Sequence, residues 1–196
     1  MSKGEQTRKH IIARAADVFS MRGFFGTSKR DLTDATGIEK GGIYNHFSSK
    51  EALAIESFDY ATNLIAQRFV DVLEGKEKPL ERLVAIVEVF YSLIDDPVLA
   101  GGCPVLNTAI ESDDTYPILR ERTQRAMTSW HKLIGREVKA GVAQGELKPD
   151  SDPYTVATIV TATLEGAIML SKLYDDSVYI RRAVDHMVDY IRSLAL

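Results

Sequence analysis

Apolar side chains recur every three or four positions along most of the chain, which is the spacing of amphipathic α-helices. In residues 5–22 this spacing is carried by Ile12, Ala15 and Phe19, and Gly23 ends the run. The sequence contains no run of strict alternation between turn residues, which is the pattern of a half-buried strand. The pattern therefore predicts an all-α fold.

Two short helices and one long helix are predicted after this first helix. Ser28 and Asp31 have the spacing of a helix-capping pair, and Gly37 is suited to end the short helix that they begin. Residues 38–47 form a second short amphipathic segment. The segment Ser48–Glu51 has the spacing of a full capping box, which predicts the start of a long connector helix.

The connector helix is expected to continue to about Gly75. Beyond it, clusters of glycine, proline and aspartate separate five further helical segments. These five segments are 80–94, 104–111, 117–143, 153–173 and 178–194. A hydrophobic content of 45% is ample for a packed core.

Charge is distributed unevenly along the chain. Residues 1–50, here called the head, carry nine Lys and Arg against five Asp and Glu, whereas the rest carries fifteen against twenty-three. A basic head on an acidic body indicates that a polyanion binds the head alone. By charge alone, a basic helix pair is more often a solvated surface than a DNA-binding one, so the motif has to decide.

The compartment expected from the sequence is the cytoplasm. Cys103 is the only cysteine and has no internal disulfide partner, and the first residues lack the apolar core of a signal peptide. The longest apolar stretch, 156–170, is short for a bilayer span and includes Glu165. It is interpreted as a buried helix, and no membrane partner is expected.

The two short helices have the make-up of a helix-turn-helix, in which one helix braces a second that enters the major groove. Leu32, Ala35, Ile38 and Ile43 can form the contact between them, with Gly37 at the turn. Lys40 is expected at a base edge or a phosphate. Tyr44, His46 and Lys50 are expected at phosphates, and Ser28 with the adjacent helix amides at another. The glycines Gly41 and Gly42 suit a close approach of backbone to DNA.

The head resembles the N-terminal signature of the TetR family of bacterial repressors. The resemblance covers about fifty residues and departs from the family at Gly42, where a hydroxyl or small residue is common, so base reading there is weakened. It is carried by Phe19, Gly23-Phe24, Gly26-Thr27-Ser28, Asp31-Leu32, Thr36-Gly37-Ile38, Lys40-Gly41, Ile43-Tyr44, His46-Phe47, Lys50-Glu51 and Leu53.

This resemblance implies an N-terminal three-helix DNA-binding domain and a C-terminal helical ligand-binding and dimerisation domain. The first would occupy residues 1–50 and continue through the connector to about 75, and the second would occupy 76–196. The implied partners are a palindromic double-stranded DNA operator, a second copy of the chain and a small-molecule effector. The DNA-binding residues carried over by position are Ser28, Lys29 and Arg30 on the bracing helix, Lys40, Gly41, Gly42, Tyr44, Asn45 and His46 on the recognition helix, and Lys50 at the start of the connector.

The last two helical segments are predicted to form the dimer interface, as a four-helix contact between two copies. Their apolar faces are wider than one body needs, although packing within the same subunit is the alternative. The residues expected at this interface are Val156, Ile159, Val160, Thr163, Leu164, Ala167, Ile180, Val184, Met187 and Ile191.

The effector is expected to be mainly apolar with one or two polar anchors, although most of the residues that could line its site are also expected to be core. Cys103 precedes a predicted helix start at Pro104, where a thiol becomes more reactive, and structural packing is the alternative to a sensing role. The residues proposed to line the ligand site are Phe69, Phe90, Tyr91, Cys103, Asn107, Met127, Trp130 and His131.

Other classes of function find little support in the sequence. No metal-binding spacing of histidines, phosphate loop or nucleophile motif is present, so no catalytic residue, metal or cofactor is expected. A ligand-binding or scaffold protein that keeps the head without using it is a second alternative. Activation instead of repression is also left open.

Overall fold

In the computed structural model, which describes residues 2–196, the chain folds into nine α-helices. No residue in that range lies in a β-strand, and one isolated bridge joins Leu147 to Ala195. The predicted all-α fold is therefore confirmed, with helix ends within a few residues of those expected. The helices are α1 (Lys3–Gly26), α2 (Lys29–Thr36), α3 (Lys40–Tyr44), α4 (Lys50–Leu73), α5 (Pro79–Asp95), α6 (Pro104–Ser112), α7 (Pro117–Ala143), α8 (Pro153–Tyr174) and α9 (Val178–Ser193).

The helices form two compact units. The first, called the head unit, runs to Ile65 and includes Val98–Gln124, and the second, called the body unit, comprises Ala66–Pro97 and Arg125–Leu196. Helices α4 and α7 contribute residues to both units. The functional division expected near residue 75 stays a prediction.

The head unit is built around one apolar cluster on helices α1 to α4. Its fully buried members include Ile11, Leu32, Ile43 and Leu53, and Ile38 packs against them as predicted. Burial of these side chains holds the two short helices together, because each helix has few backbone hydrogen bonds of its own. Tertiary packing, rather than helix propensity, therefore stabilises the helix-turn-helix.

The local signals for α2 act as predicted, whereas Gly23 kinks α1 instead of ending it. Gly23 has φ 70° and ψ 174°, a conformation open to glycine, and it kinks α1 three residues before the last helical residue. The Ser28 hydroxyl accepts from the Asp31 amide, and the Asp31 carboxylate accepts from the Ser28 amide. At the other end of α2, Gly37 adopts the left-handed conformation, with φ 67° and ψ 15°.

Two predictions about the next helices are wrong in detail. Helix α3 has five residues and ends at Tyr44, so Asn45 is its C-cap and His46 lies in the following turn. The His46 amide donates to the Ile43 carbonyl, which tightens the last turn and stops the helix. At α4 the amide of Ala52 donates to the Ser49 hydroxyl. The cap is therefore one residue later than the predicted Ser48.

The body unit packs α5, α8 and α9 against one another. Helix α8 is long and apolar enough to span a membrane by length and composition, but half of its most apolar window is buried by other helices. Core helices of soluble proteins share this property, so α8 does not indicate a membrane protein. A buried ion pair between Arg82 and Glu137 joins α5 to α7, with 2.8 Å between Nε and Oε2.

Candidate functional site

The helix-turn-helix presents α3 to solvent through one short face. Lys40, Gly41 and Asn45 are exposed, whereas Ile43 on the opposite side is buried in the head unit. Since α3 has little more than one turn, few of its side chains can enter a DNA groove together. Lys40, at its first position, places an exposed cation on this face.

Three lysines converge on a shallow cleft beside α3. Lys29 from α2, Lys40 from α3 and Lys50 from α4 border this cleft, which has a volume of about 470 Å³. Tyr44, Gly41, Ser48, Ser49 and Glu51 complete its wall. The cleft concentrates positive charge at the surface of the helix-turn-helix, as phosphate binding requires. The predicted DNA-binding residues did not include Ser48, Ser49 or Glu51, which the sequence indicated only as part of a helix cap.

The ring of Tyr44 faces Lys29, and its hydroxyl points inward. The Lys29 Nζ atom lies 5.6 Å from the ring centroid. The hydroxyl is buried, and it has no hydrogen-bond partner within residues 2–196. Burial raises the pKa of Tyr44, and the negative charge of Glu51 raises it further. In this conformation the hydroxyl is not available to the phosphate predicted for it.

Lys50 is also turned toward the protein. Its Nζ atom lies 4.3 Å from the ring centroid of Phe24, which is a close cation–π contact. Burial lowers the pKa of Lys50, and the nearby carboxylate of Glu51 acts in the opposite direction. The ammonium group therefore has to leave the Phe24 ring to reach a phosphate directly.

The remaining predicted DNA contacts lie outside this cleft. Arg30 is exposed and lies 3.7 Å from the Asp34 carboxylate, one turn along α2. His46 is half-buried, and Ser28 is exposed at the start of α2. Gly42 is half-buried, and an added Cβ would lie 2.7 Å from Cγ2 of Ile38. Its small size is thus needed for packing of the helix pair, and its part in the approach to DNA stays a prediction.

Comparison with known proteins decides the family. The profile described as bacterial regulatory proteins of the tetR family matches residues 11–56, and that of tetracyclin repressor-like C-terminal domains matches residues 79–187. The crystal structure of a TetR transcriptional regulator from Chloroflexus aurantiacus J-10-FL shares 42% identity and a TM-score of 0.96, with 100% of this chain and 98% of that chain covered.

The chain belongs to the TetR family of transcriptional regulators. Two curated relatives agree. The HTH-type transcriptional regulator LmrA of Bacillus subtilis (strain 168) is 30% identical, covering 87% of this chain and 88% of its own. The HTH-type transcriptional repressor DhaR of Mycobacterium sp. (strain GP1) is 26% identical, covering 85% and 82%. The resemblance seen in the head is confirmed, and the chain is a DNA-binding regulator rather than an enzyme.

In this TetR-family chain, the aromatic residues predicted for a ligand site pack as core. Phe69, Phe90 and Trp130 are buried, and their ring centroids lie 5.6 to 6.0 Å apart in edge-to-face contacts. Two further members have internal partners. The Tyr91 hydroxyl donates to Asp95 at 3.0 Å, and His131 Nε2 lies 3.0 Å from Thr161 Oγ1.

The last three predicted ligand residues lie elsewhere. Met127 is half-buried on α7. Cys103 is fully buried at the N-cap of α6, and Asn107 on the same helix donates to the carbonyls of Ser20 and Gly101. Asn107 is thus a structural residue here, because its amide is already engaged by backbone.

A different set of residues encloses a small cavity in the head unit of this TetR-family protein. Its volume is about 30 Å³, and it lies among helices α1, α4, α6 and α7. Its lining includes none of the eight predicted ligand residues. The lining consists of Ala16, Phe19, Ser20, Phe24, Ala54, Ser57, Phe58, Ala61, Pro104, Thr108, Glu111 and Leu119.

Most residues predicted for the dimer interface are buried inside the single chain. This corrects the expected set. Helix α8 is apolar nearly all round, so its periodicity did not show which face the subunit itself covers, and the apolar stripe of α9 packs within the subunit, where α9 contacts α5 and α8. Ile159 is 40% exposed and Thr163 half-buried. The eight that are buried are Val156, Val160, Leu164, Ala167, Ile180, Val184, Met187 and Ile191.

Proposed function

We propose that this protein is a homodimeric repressor that places its two heads on a palindromic operator and is released by a small-molecule inducer or by thiol modification. The observation that carries this proposal is the cleft beside α3, where Lys29, Lys40 and Lys50 meet. We assign DNA binding to residues 1–50 with the connector to about 75, and ligand binding and dimerisation to 76–196. A repressor of this kind acts in the cytoplasm.

Within the head, we propose that side chains divide between base edges and phosphates. Exposure of Lys40 and Asn45 supports their contact with base edges, and exposure of Gly41 supports a close approach of its backbone. Gly42 flanks this close approach. The other predicted contacts are assigned to phosphates. They are Ser28, Lys29, Arg30, Tyr44, His46 and Lys50.

The homodimer is proposed to form through the exposed face of α8. Tyr154, Met169 and Leu173 are large, apolar and 47 to 75% exposed along this helix. Ala162 and Gly166 lie between them, and a Cβ added at Gly166 would meet nothing within 4 Å. Such small residues allow two helices to approach closely, and the exposed apolar side chains supply the area to bury. Ile159 and Thr163 border the same face.

The inducer is proposed to be mainly apolar with one or two polar anchors. It has to bind more tightly to a conformation in which the two heads no longer match successive major grooves, about 34 Å apart for one helical turn. The connector α4 is the proposed lever. An inducer of this kind lowers operator affinity while the dimer persists, and ligand-driven dissociation into monomers would contradict the mechanism.

Thiol modification is the second proposed trigger. Cys103 lies at the N-cap of α6 and is followed by Pro104, so a modified sulfur would disturb the start of this helix. Since Cys103 is buried, its reaction requires local opening. We expect an electrophile such as N-ethylmaleimide to abolish operator binding by the wild type and not by the Cys103→Ser variant. A native thiol that does not react would end this part of the proposal.

Selection of genomic fragments by the purified protein tests the proposed function. A repressor of this type enriches a palindrome, and its affinity for the selected duplex falls with salt by about 0.9 in log–log slope for each phosphate contact. Lys40→Ala should reduce both the affinity and the preference for the selected duplex over a shuffled one. Lys132→Ala, at an exposed position on α7, is the control. A flat salt response or equal binding of both duplexes would refute the proposal.

A further inference from the structure

Helix α1 is interrupted at Gly23, and side chains of α6 take over the backbone groups that the interruption leaves. In a continuous helix the Phe24 amide would donate to the Ser20 carbonyl and the Phe25 amide to the Met21 carbonyl. Here the Phe24 amide donates to Glu111 Oε2 at 2.7 Å and the Phe25 amide to Glu111 Oε1 at 2.8 Å. One carboxylate thus replaces two helical acceptors.

The opposite side of the interruption is matched by a second residue of α6. Asn107 Nδ2 donates to the Ser20 carbonyl at 3.1 Å, which is the acceptor that Phe24 has left. Asn107 and Glu111 are four residues apart, so both project from one face of α6 toward α1. The two side chains together supply the donor and the acceptors that a kinked α1 lacks.

We propose that Asn107 and Glu111 form a clip that holds α1 in its kinked form, and that withdrawal of α6 lets α1 become a continuous helix. The Ser20 carbonyl and the amides of Phe24 and Phe25 have hydrogen-bond partners in both the kinked and the continuous form, which is the requirement for a two-state element. The Gly23 conformation belongs to the kinked form only. Through the clip, the position of α6 determines whether α1 is kinked or continuous.

The kink in α1 is connected by side-chain contacts to the surface that is proposed to bind DNA. Phe24 follows Gly23 directly, and its ring carries the Lys50 ammonium at 4.3 Å and lies 4.9 Å from the Tyr116 ring. On the other side of the kink, an ion pair joins Arg22 to Asp31 in the cap of α2. Straightening α1 would move Phe24 and alter the entry into α2. The kinked form is therefore the operator-binding form, a consequence that rests on the proposed function.

Three variants separate the two forms. Glu111→Ala removes the acceptors of the clip, and Asn107→Ala removes its donor. Gly23→Ala acts from the other side, because an added Cβ would lie 2.6 to 2.8 Å from atoms of the Glu111 carboxyl group and φ is 70°. Alanine at this position fits a continuous helix and not the kink. Asp114→Ala, which removes an exposed carboxylate just after α6, is the charge-matched control.

The first measurement follows the kink itself. In the full-length protein with labelled glycine, the Gly23 ¹³Cα chemical shift should move to the helical range in Glu111→Ala and Asn107→Ala, and stay unchanged in Asp114→Ala. Glu111→Gln keeps one acceptor oxygen and should give an intermediate shift, which covers the case in which Glu111→Ala does not fold. A Gly23 shift that stays at its wild-type value in the Glu111 and Asn107 variants would overturn the proposal.

The second measurement uses a duplex that the wild-type protein selects from genomic DNA. Glu111→Ala and Gly23→Ala should each weaken binding about tenfold, the effect of losing charge-assisted hydrogen bonds. The double variant should bind no worse than Gly23→Ala, because a continuous α1 no longer contacts Glu111. Additive losses would overturn the clip. If the wild type selects no duplex, the proposed function fails, while the Gly23 shift still decides the clip.

Discussion

At the scale of single residues, the cleft beside α3 contains polar groups that the fold turns inward. The hydroxyl of Tyr44 is buried and the ammonium of Lys50 rests on Phe24, although sequence spacing placed both toward phosphates. The spacing was sufficient to place them in the cleft. It could not give the side-chain direction, because Lys50 packs on Phe24 and Tyr44 on Lys29, which come from other segments of the chain.

Replacing Tyr44 with phenylalanine should separate stability from binding. A buried hydroxyl without a partner costs free energy, so Tyr44→Phe is expected to leave the free energy of unfolding unchanged or raise it by up to about 1 kcal/mol. If the hydroxyl rotates outward and contacts a phosphate when DNA binds, the variant should bind the selected duplex about five- to tenfold more weakly. Urea unfolding and fluorescence anisotropy measure the two effects, with Tyr179→Phe as control. Unchanged affinity would show that Tyr44 serves packing alone.

The buried carboxylate of Glu137 gives a prediction about acid. Burial acts to raise its pKa, but hydrogen bonds from Arg82 and Arg136 outweigh this and lower the pKa below 4.5. A lowered folded-state pKa stabilises the protein above the unfolded value, and this stabilisation is lost as pH falls through the folded value. Glu137→Gln should therefore cost about 2 kcal/mol at pH 7 and less below pH of about 4.

Urea unfolding at several pH values tests this expectation. Glu88→Gln, an exposed acid on α5, is the matched control and should change the free energy of unfolding little at any pH. A deficit of Glu137→Gln that stays constant down to low pH would contradict the assignment. It would show that side-chain packing, and not the ion pair with Arg82, accounts for the loss.

At the scale of helices, signals that act over a few residues were predicted well. Ser28 with Asp31, Gly37 and the proline at the start of α6 all mark helix ends as expected, because a cap depends on neighbours in sequence. The role of Gly42 was missed. The cause is the Ile38 side chain, which packs across the turn, and a contact of this kind is not visible in the spacing of residues.

The two glycines of α3 should respond in opposite ways to alanine. At Gly41 an added Cβ would meet nothing within 4 Å, so Gly41→Ala should stabilise the protein by roughly 0.5 to 1 kcal/mol. At Gly42 the Cβ would lie 2.7 Å from Ile38, and Gly42→Ala should destabilise it by about 1 kcal/mol.

DNA binding gives the second readout for this pair. Gly41→Ala should weaken binding of the selected duplex despite its higher stability, because the methyl group lies where the backbone is proposed to approach DNA. Anisotropy titrations beside urea unfolding give both values for each variant. If Gly41→Ala binds the duplex with wild-type affinity, the proposed close approach of the backbone to DNA is wrong.

At the scale of the whole molecule, the face proposed for the dimer depends on how the chain itself buries α8. This helix is apolar on more than one side, so its sequence is compatible with several interfaces. Within the chain, α5 and α9 cover the side that contains Val160 and Leu164, and the opposite side is left exposed. That α8 forms the dimer interface stays a prediction, and packing within the chain decides which of its faces is exposed.

A charge placed in the exposed stripe should break the dimer. Ala162→Glu would bury a carboxylate without a partner between two α8 helices, which costs several kcal/mol per interface and should give monomers. Analytical ultracentrifugation measures the mass, and far-UV circular dichroism confirms that the subunit stays folded. Gln144→Glu, at an exposed site just after α7, should remain dimeric. A dimeric Ala162→Glu protein would place the interface elsewhere.

The sequence by itself determined the all-α class, nearly every helix boundary and the helix-turn-helix of the head, because periodicity, caps and turn glycines act between residues close in the chain. The TetR-family signature in the head followed from the same local spacing. Only the tertiary structure decided which way Tyr44 and Lys50 turn, that Asn107 and Glu111 grip a kinked α1, and which face of α8 is exposed. The physical reason is that each of these features depends on contacts between segments far apart in sequence. A local pattern of residues does not show which distant segments come into contact.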